Sequence, residues 1–359
     1  MKNKGIFYNY QYATSFVRSD KALLEERFTL TSFAFSPRSV KDYILAFLLQ
    51  GFYLLKHWNQ YQIIVSQIAS YHTFLPSVLS KLGLKKHVIL LHGTDCNVIE
   101  EIQYGNLRKW PLRWFTERSI NMASLLLPVS AQLIHSKSKY LEEGKAKMGL
   151  SKSLPKLKTK YKVVYNGFNT SVFRITSSDR KPKSFLTAAL SLDKRRNFLL
   201  KGIDLFLNLA KNHPDYHFTI VGSSTLYPFM EIPKNVQIID KVDADELVNI
   251  YNRHQFYMQL SMSETFGLSL CESILCGCIP IVSDVGMNGE IVSNIGYILP
   301  TKDQEMLEAL VQKAIMDSDN DNLEDQMRRA DAIKSRYPLA ARKQNLYDAL
   351  EPLFHSNEN

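Results

Sequence analysis

The sequence predicts a two-domain α/β fold, each domain a parallel sheet covered by helices. Three observations carry that prediction. At 359 residues the chain exceeds what a single hydrophobic core usually organises, and two domains of roughly 150 to 200 residues follow. Short apolar runs alternate with longer helical patterns, the signature of α/β units around parallel strands. That alternation stops at a turn-rich, charged stretch, residues 169–183, and then begins again.

In the first half, Gly5 to Tyr10 reads as a strand. A helix follows from about Val40 to Trp58, whose greasy centre, Tyr43 to Leu55, falls short of the roughly 20 residues that cross a bilayer and is expected to be a core helix. Gln62 to Gln67, His87 to Leu91, Leu125 to Val129 and Lys162 to Tyr165 read as the remaining strands. The lysine-rich stretch from Leu141 to Lys160 is expected to be an exposed, solvated loop. In the second half the expected strands are Phe185 to Leu190, His217 to Val221, Val236 to Ile239, Phe256 to Gln259 and Ile279 to Ser283. Helical apolar spacing from Tyr337 to Phe354 predicts a last helix that crosses back onto the first domain. The expected division is therefore residues 1–168, a linker at 169–183, residues 184–336, and a terminal helix at 337–359.

Composition bounds the function. A hydrophobic content of 45% with 22% charged residues is ordinary for a globular chain. The N-terminus has no long apolar segment before a small-residue cleavage site, so a cytoplasmic protein is expected. Cys96, Cys271, Cys276 and Cys278 form neither a disulfide framework nor paired metal-binding spacings, and buried packing is their expected role. A net charge of +9 suits diphosphates, acidic lipid headgroups or nucleic acid without choosing among them. Neither a dinucleotide fingerprint nor a Walker A loop is present, which lowers the expectation of a dehydrogenase or a P-loop enzyme.

Chemistry is densest between Ser261 and Glu290. Gly267 lets backbone approach a ligand, and a helix beginning at Leu268 would offer free N–H groups and a positive dipole end to a diphosphate. Glu264, in the loop, and Glu272, about a turn into the helix, are too far apart for one acid/base pair and are expected to have separate roles. His92 ends an apolar strand, where open α/β sheets place ligand groups; a satisfied structural histidine is the competing reading. Asp95 is read as a cap for the helix expected after it.

Glu264 to Glu272, followed by Gly277-Cys278-Ile279-Pro280, resembles the E-x7-E segment of the family 4 retaining glycosyltransferases. Lys201-Gly202, Asn166-Gly167 and His92-Gly93-Thr94-Asp95 occur in the order that family has. The resemblance implies a GT-B architecture, two Rossmann-like domains facing a central cleft, and retaining transfer of a sugar from a nucleotide-diphosphate donor. It implies that Glu264 approaches sugar hydroxyls, Glu272 the ribose, and the backbone at Gly267 and Leu268 the diphosphate, with Phe266 also in the donor-binding segment; Lys201 would hold the leaving phosphate, with no metal required, and His92 would stand beside the reacting sugar. Family members place an arginine ahead of the lysine, and Arg196 is preferred here over Arg195. The loop after the first strand lacks the family's glycine pair, which leaves the acceptor side open. A glycan or a lipid-linked acceptor is expected, with peripheral contact to an anionic membrane and no nucleic-acid partner, in bacterial surface polysaccharide synthesis. A nucleotide-sugar epimerase or phosphorolytic enzyme on the same scaffold, and more remotely a noncatalytic basic binding module, are the alternatives.

Overall fold

The computed structural model describes residues 4–355. In its first half β1 (Gly5–Tyr10) leads to α1 (Ser15–Glu25), β2 (Thr29–Ala34), α2 (Asp42–Lys56), β3 (Ile63–Gln67), α3 (Phe74–Lys81) and β4 (Lys86–Leu91). A two-residue β5 (Val98–Ile99), α4 (Leu112–Met122), β6 (Leu125–Pro128), β7 (Ala146–Lys147) and a one-turn α5 (Leu150–Ser153) complete it. The second half runs β8 (Lys181–Ala188), α6 (Arg195–Leu200), α7 (Ile203–Asn212), β9 (His217–Val221), β10 (Val236–Ile239), α8 (Ala244–Arg253), β11 (His254–Gln259) and α9 (Leu268–Leu275). It ends with β12 (Ile279–Ser283), α10 (Asn288–Val292), β13 (Tyr297–Leu299), α11 (Gln304–Ser318), α12 (Leu323–Arg336) and α13 (Leu339–His355).

Two parallel sheets result, in the orders β2-β1-β3-β4-β6 and β10-β9-β8-β11-β12-β13. Strands buried on both faces explain their unbroken apolar runs: Ile63, Ile64 and Val65 of β3 and Val88 through Leu91 of β4 are all nearly solvent-free. In the second sheet Phe185 pairs in register with Phe218 and Phe256, and its ring stacks between theirs at 5.1 and 4.9 Å. This layered aromatic block fixes the register of the central strands. Each order reverses direction once, between β1 and β3 in one sheet and between β8 and β11 in the other. A doubly wound sheet opens a crevice at the carboxyl ends of such a pair, and here the two crevices face each other.

The last helix, α13, returns to the first sheet. Leu346 and Leu350 join Ile6, Val17 and Val88 in one core cluster, and Tyr347 donates its hydroxyl to Leu23 O at 2.6 Å. Arg342 makes a doubly bonded pair with Asp20, both contacts at 2.6 Å and both side chains almost fully buried.

Several expectations need correction. Helix α2 is present but is no core helix: Ile44, Leu45, Leu48, Leu49, Phe52 and Leu55 are all more than half exposed, because α2 docks through a different face. The Leu141 to Lys160 stretch is ordered in part, with β7 paired to β5 and Met148, Leu150 and Leu154 buried. Lys162 to Tyr165 runs beside β6, bonding at Lys162 N and Val164 N, but only an isolated bridge at Tyr161 forms there. The strand expected at Phe185 to Leu190 begins earlier, at Lys181, and stops at Ala188.

Candidate functional site

The facing crevices enclose a cavity of about 420 Å³ lined by Phe16, Ile68 and His92 from the first sheet and by Lys201, Glu264 and Leu268 from the second. Most of these follow the carboxyl ends of β1, β3, β4, β8 and β11. A larger concavity of about 740 Å³ lies among Lys181, His217, Lys234 and His254 at the opposite strand ends. It contains none of the predicted site residues.

On the second-domain wall, α9 begins at Gly267, whose φ of +77° is the left-handed conformation that glycine adopts without strain. Leu268 and Ser269 of its first turn line the cleft, and a helix amino terminus attracts anions. Lys201 Nζ donates to Glu264 Oε2 at 2.8 Å. The other carboxylate oxygen accepts from Thr265 N at 3.2 Å, so the loop carboxylate is held at both ends. Lys201 reaches this position because Gly202, at φ +68°, lies against the Leu260 carbonyl; a Cβ there would fall 2.1 Å from that oxygen. The following α7 buries Ile203, Leu205, Phe206 and Leu207 and so anchors the lysine-bearing turn.

Glu272 stands one turn deeper and lines an adjoining cavity with Phe168, Asn169, Val172 and Arg342. The two cavities share Phe16, Asn166 and Leu268. Burial raises the Glu272 carboxyl to about 7, against a partial counter-effect from the Tyr251 hydroxyl, which donates to it at 3.4 Å. Asn166 Oδ1 is buried without a hydrogen-bond partner among the described residues.

On the first-domain wall, His92 stacks on Phe16 at 4.3 Å. Its Nε2 lies 2.6 Å from Gln67 Oε1. Gln67 spends its amide protons on Tyr8 Oη and Asp20 Oδ2, each at 2.8 Å, so its oxygen must accept and His92 Nε2 must carry the proton. Burial lowers the imidazole pKa to about 3, with Arg342 adding to the depression and Asp20 opposing it. His92 is therefore neutral at physiological pH, with Nδ1 as its unprotonated nitrogen. A four-residue chain, Arg342 to Asp20 to Gln67 to His92, thus links α13 to the cleft.

The walls touch. Thr265 Oγ1 donates to His92 O at 2.5 Å, Asn97 Nδ2 to Ser263 Oγ at 3.0 Å, and Ser138 Oγ to Asp284 O at 2.5 Å. Gly93, at φ +113°, permits this approach, since a Cβ would sit 2.3 Å from Thr265 Oγ1. Ile68, which also lines the cleft, holds φ +65°, a strained conformation for a β-branched residue.

The structure thus brings His92, Lys201, Glu264, Gly267 and Leu268 together around one cavity, with Glu272 around the next. Phe266 lines the same cavity, and its largely buried ring packs against Phe168 and Tyr337 at 5.5 and 5.0 Å. Arg195 and Arg196 are exposed at the start of α6 and line neither cavity. Asp95 caps no helix; its carboxylate accepts from His92 N, Gly93 N and Ala69 N at 2.9 to 3.0 Å and holds the loop beneath His92. Phe16, Gln67, Asp20 and Arg342 were not singled out by sequence reasoning. The four cysteines are buried and unpaired.

Residues 175–333 match the family model described as glycosyl transferases group 1. Over 164 residues, 44% of this chain, the sequence is 31% identical to the GtfA subunit of the UDP-N-acetylglucosamine–peptide N-acetylglucosaminyltransferase of Streptococcus pneumoniae, a match that covers 29% of that protein's length. Among solved structures, sucrose-phosphate synthase from Thermosynechococcus elongatus superposes with a TM-score of 0.74 at 14% identity, covering 99% of this chain and all of that one. HepE of Anabaena, solved in complex with UDP, superposes at 0.66 with 14% identity over 97% of this chain and all of that one. The fold is GT-B, and residues 175–333, somewhat under half of the chain, are similar to the group 1 glycosyl transferases.

Proposed function

We propose that this chain transfers a sugar from a uridine diphosphate sugar to a hydroxyl of a glycan or lipid-linked acceptor, with retention at the anomeric carbon. The observation that carries the proposal is the Lys201–Glu264 pair at 2.8 Å, set beside the amino end of α9 and facing His92 across one cavity. A cation and a helix N-terminus answer the charge that develops on a departing diphosphate, and preorganised groups of this kind stabilise it without reorganisation. UDP in the HepE complex and in the name of the pneumococcal relative supports uridine as the donor base.

In the reaction we envisage, the bond from the anomeric carbon to the diphosphate oxygen breaks and its electron pair stays with the diphosphate, beside Lys201. The acceptor oxygen bonds to the anomeric carbon on the same face and gives its proton to the departing phosphate oxygen. Glu264 positions sugar hydroxyls and Glu272 accepts from the ribose. Neutral His92 offers Nδ1 to a sugar hydroxyl. Contact between the walls excludes water, which favours transfer over hydrolysis. The donor is assigned to the second domain, residues 184–336, and the acceptor to residues 1–168. We place the work in the cytoplasm at the inner membrane face, in assembly of a bacterial surface polysaccharide; among the described residues no helix is long and apolar enough to cross a membrane.

The test is incubation with UDP-glucose, UDP-galactose and UDP-N-acetylglucosamine and a panel of glycan and lipid-linked acceptors, with products read by mass spectrometry and proton NMR. Release of UDP together with an α-linked product supports the proposal. An isomerised nucleotide sugar with no acceptor product would make the enzyme an epimerase, and a sugar phosphate formed in phosphate buffer would make it phosphorolytic.

A further inference from the structure

Helix α2 has two apolar faces, and only one of them is used by the fold. The inner face docks through Tyr43, Phe47, Gln50 and Leu54. Phe47 packs on Phe35 and Phe115 at 5.2 and 5.7 Å, Tyr43 on Tyr71 at 4.7 Å, and buried Gln50 donates to His72 O and Asn9 Oδ1 at 2.7 and 3.2 Å. These contacts fix the rotation of the helix about its axis. The outer face then carries Ile44, Leu45, Leu48, Leu49, Phe52 and Leu55, exposed by 51 to 71%. At 100° per residue they fall in one continuous stripe about 140° wide. Scattered exposed leucines need no explanation, but a continuous stripe marks an interaction surface.

The surroundings of the stripe choose its occupant. Exposed Arg38 and Lys41 precede it and Lys56 ends it. The neighbouring α4, joined to α2 through Phe47 and Phe115, has Trp110 just before it and Trp114 within it, 76 and 42% exposed, amid exposed Lys109, Arg113 and Arg118. The nearby acids are already engaged: Asp42 accepts from the Arg38 and Ser39 N–H groups, and Glu117 lies 4.0 Å from Arg113. Aliphatic residues on one face with lysine, arginine and tryptophan at the margins is the chemistry of a helix lying in a lipid interface. A second copy fits poorly, because a two-fold contact would set the same cations of each copy against one another. We infer that the outer face of α2 binds the surface of a bilayer containing anionic lipids. It begins at the carboxyl end of β2, the edge of the sheet that carries the cleft, so bilayer docking would bring a lipid-linked acceptor near the first-domain wall. The inference rests on the membrane-face placement proposed above, but not on the transfer chemistry.

Co-sedimentation tests it, using vesicles of phosphatidylcholine alone or with 30% phosphatidylglycerol, in low salt and in 500 mM salt. The full chain is compared with the double variant Leu48→Gln/Phe52→Gln, whose side chains make no core contact and whose melting temperature serves as the folding control. Binding to the anionic vesicles, weaker in high salt and reduced at least tenfold in the variant, is the expected result. No binding by the wild type at low salt overturns the inference, and so does equal binding by the variant. A dimer that the variant abolishes, without vesicle binding, would assign the face to a second copy instead. UDP-induced stabilisation, measured in parallel, stays equal in both proteins; its absence from both would count against the donor site and leave the membrane result standing.

Discussion

The two walls of the cleft are built by opposite strategies. The second-domain wall is largely local: Glu264, Gly267, Leu268 and Glu272 lie within one loop and one helix, and Lys201 joins them from another turn. The first-domain wall is assembled over distance, His92 being set by Gln67, Gln67 by Asp20 at a separation of 47 residues, and Asp20 by Arg342 at 322. A local wall can bind a constant ligand with a short motif, whereas a distributed wall lets the rest of the domain vary around one imidazole. The expected consequence is that lesions on the second-domain side strike donor binding and chemistry, and lesions on the first-domain side strike stability and orientation.

The largest effect should come from Lys201→Ala, which removes the cation proposed to stand beside the leaving diphosphate and should lower kcat by about 10²–10³. Steady-state kinetics with a UDP-sugar would read it; a change in KM alone would show that Lys201 serves binding uniformly. Next is Arg342→Leu, which strands the buried Asp20 carboxylate and should cost about 3–5 kcal/mol of stability, measured by urea denaturation. The double variant Asp20→Leu/Arg342→Leu should recover part of that loss, and an equal or larger loss would show that the pair is not what Arg342 stabilises.

Glu272→Gln should divide stability from function. Its carboxyl is raised from 4.5 to about 7, so the stability linked to its protonation is present below the unfolded value near 4.5 and lost as pH rises through 7. The glutamine variant, having no charge to bury, should therefore melt above the wild type at pH 8.5 and converge with it near pH 5. UDP-sugar affinity should rise between pH 6 and 8 in the wild type, as the ribose acceptor ionises, and stay flat in the variant. The smallest effect is Gln67→Leu, which frees the His92 tautomer and should lower kcat several-fold, about the worth of one hydrogen bond of roughly 1 kcal/mol, with donor KM unchanged.

The same contrast explains what was legible in the sequence. Strands such as Ile63–Gln67 and Lys86–Leu91 are apolar on both faces and announce themselves. Thr29–Ala34 is half-polar and only partly buried, and it went unread. Helix α2 was identified, but composition cannot say which of two apolar faces meets the core; the inner face was chosen by Phe35, Tyr71 and Phe115, all distant in sequence. Gly267 and both glutamates could be read because a turn, a helix start and their spacing are local events. Gln67, Asp20 and Arg342 carry no local signal, since each resembles an ordinary polar residue until the fold brings them together. Arg196 was chosen as a basic residue in the expected loop; α6 begins at Arg195 and leaves Arg196 exposed, outside the lining of both cavities.

The most direct test of the donor site is thermal denaturation with UDP, GDP, ADP and CDP, comparing the wild type with Lys201→Ala/Glu272→Ala, since a ligand that binds the folded state raises its melting temperature. A selective rise with UDP in the wild type that disappears in the double variant is the predicted result. An equal rise in both proteins, or none with any nucleoside diphosphate in the folded wild type, would contradict the placement of the donor beside Lys201 and Glu272.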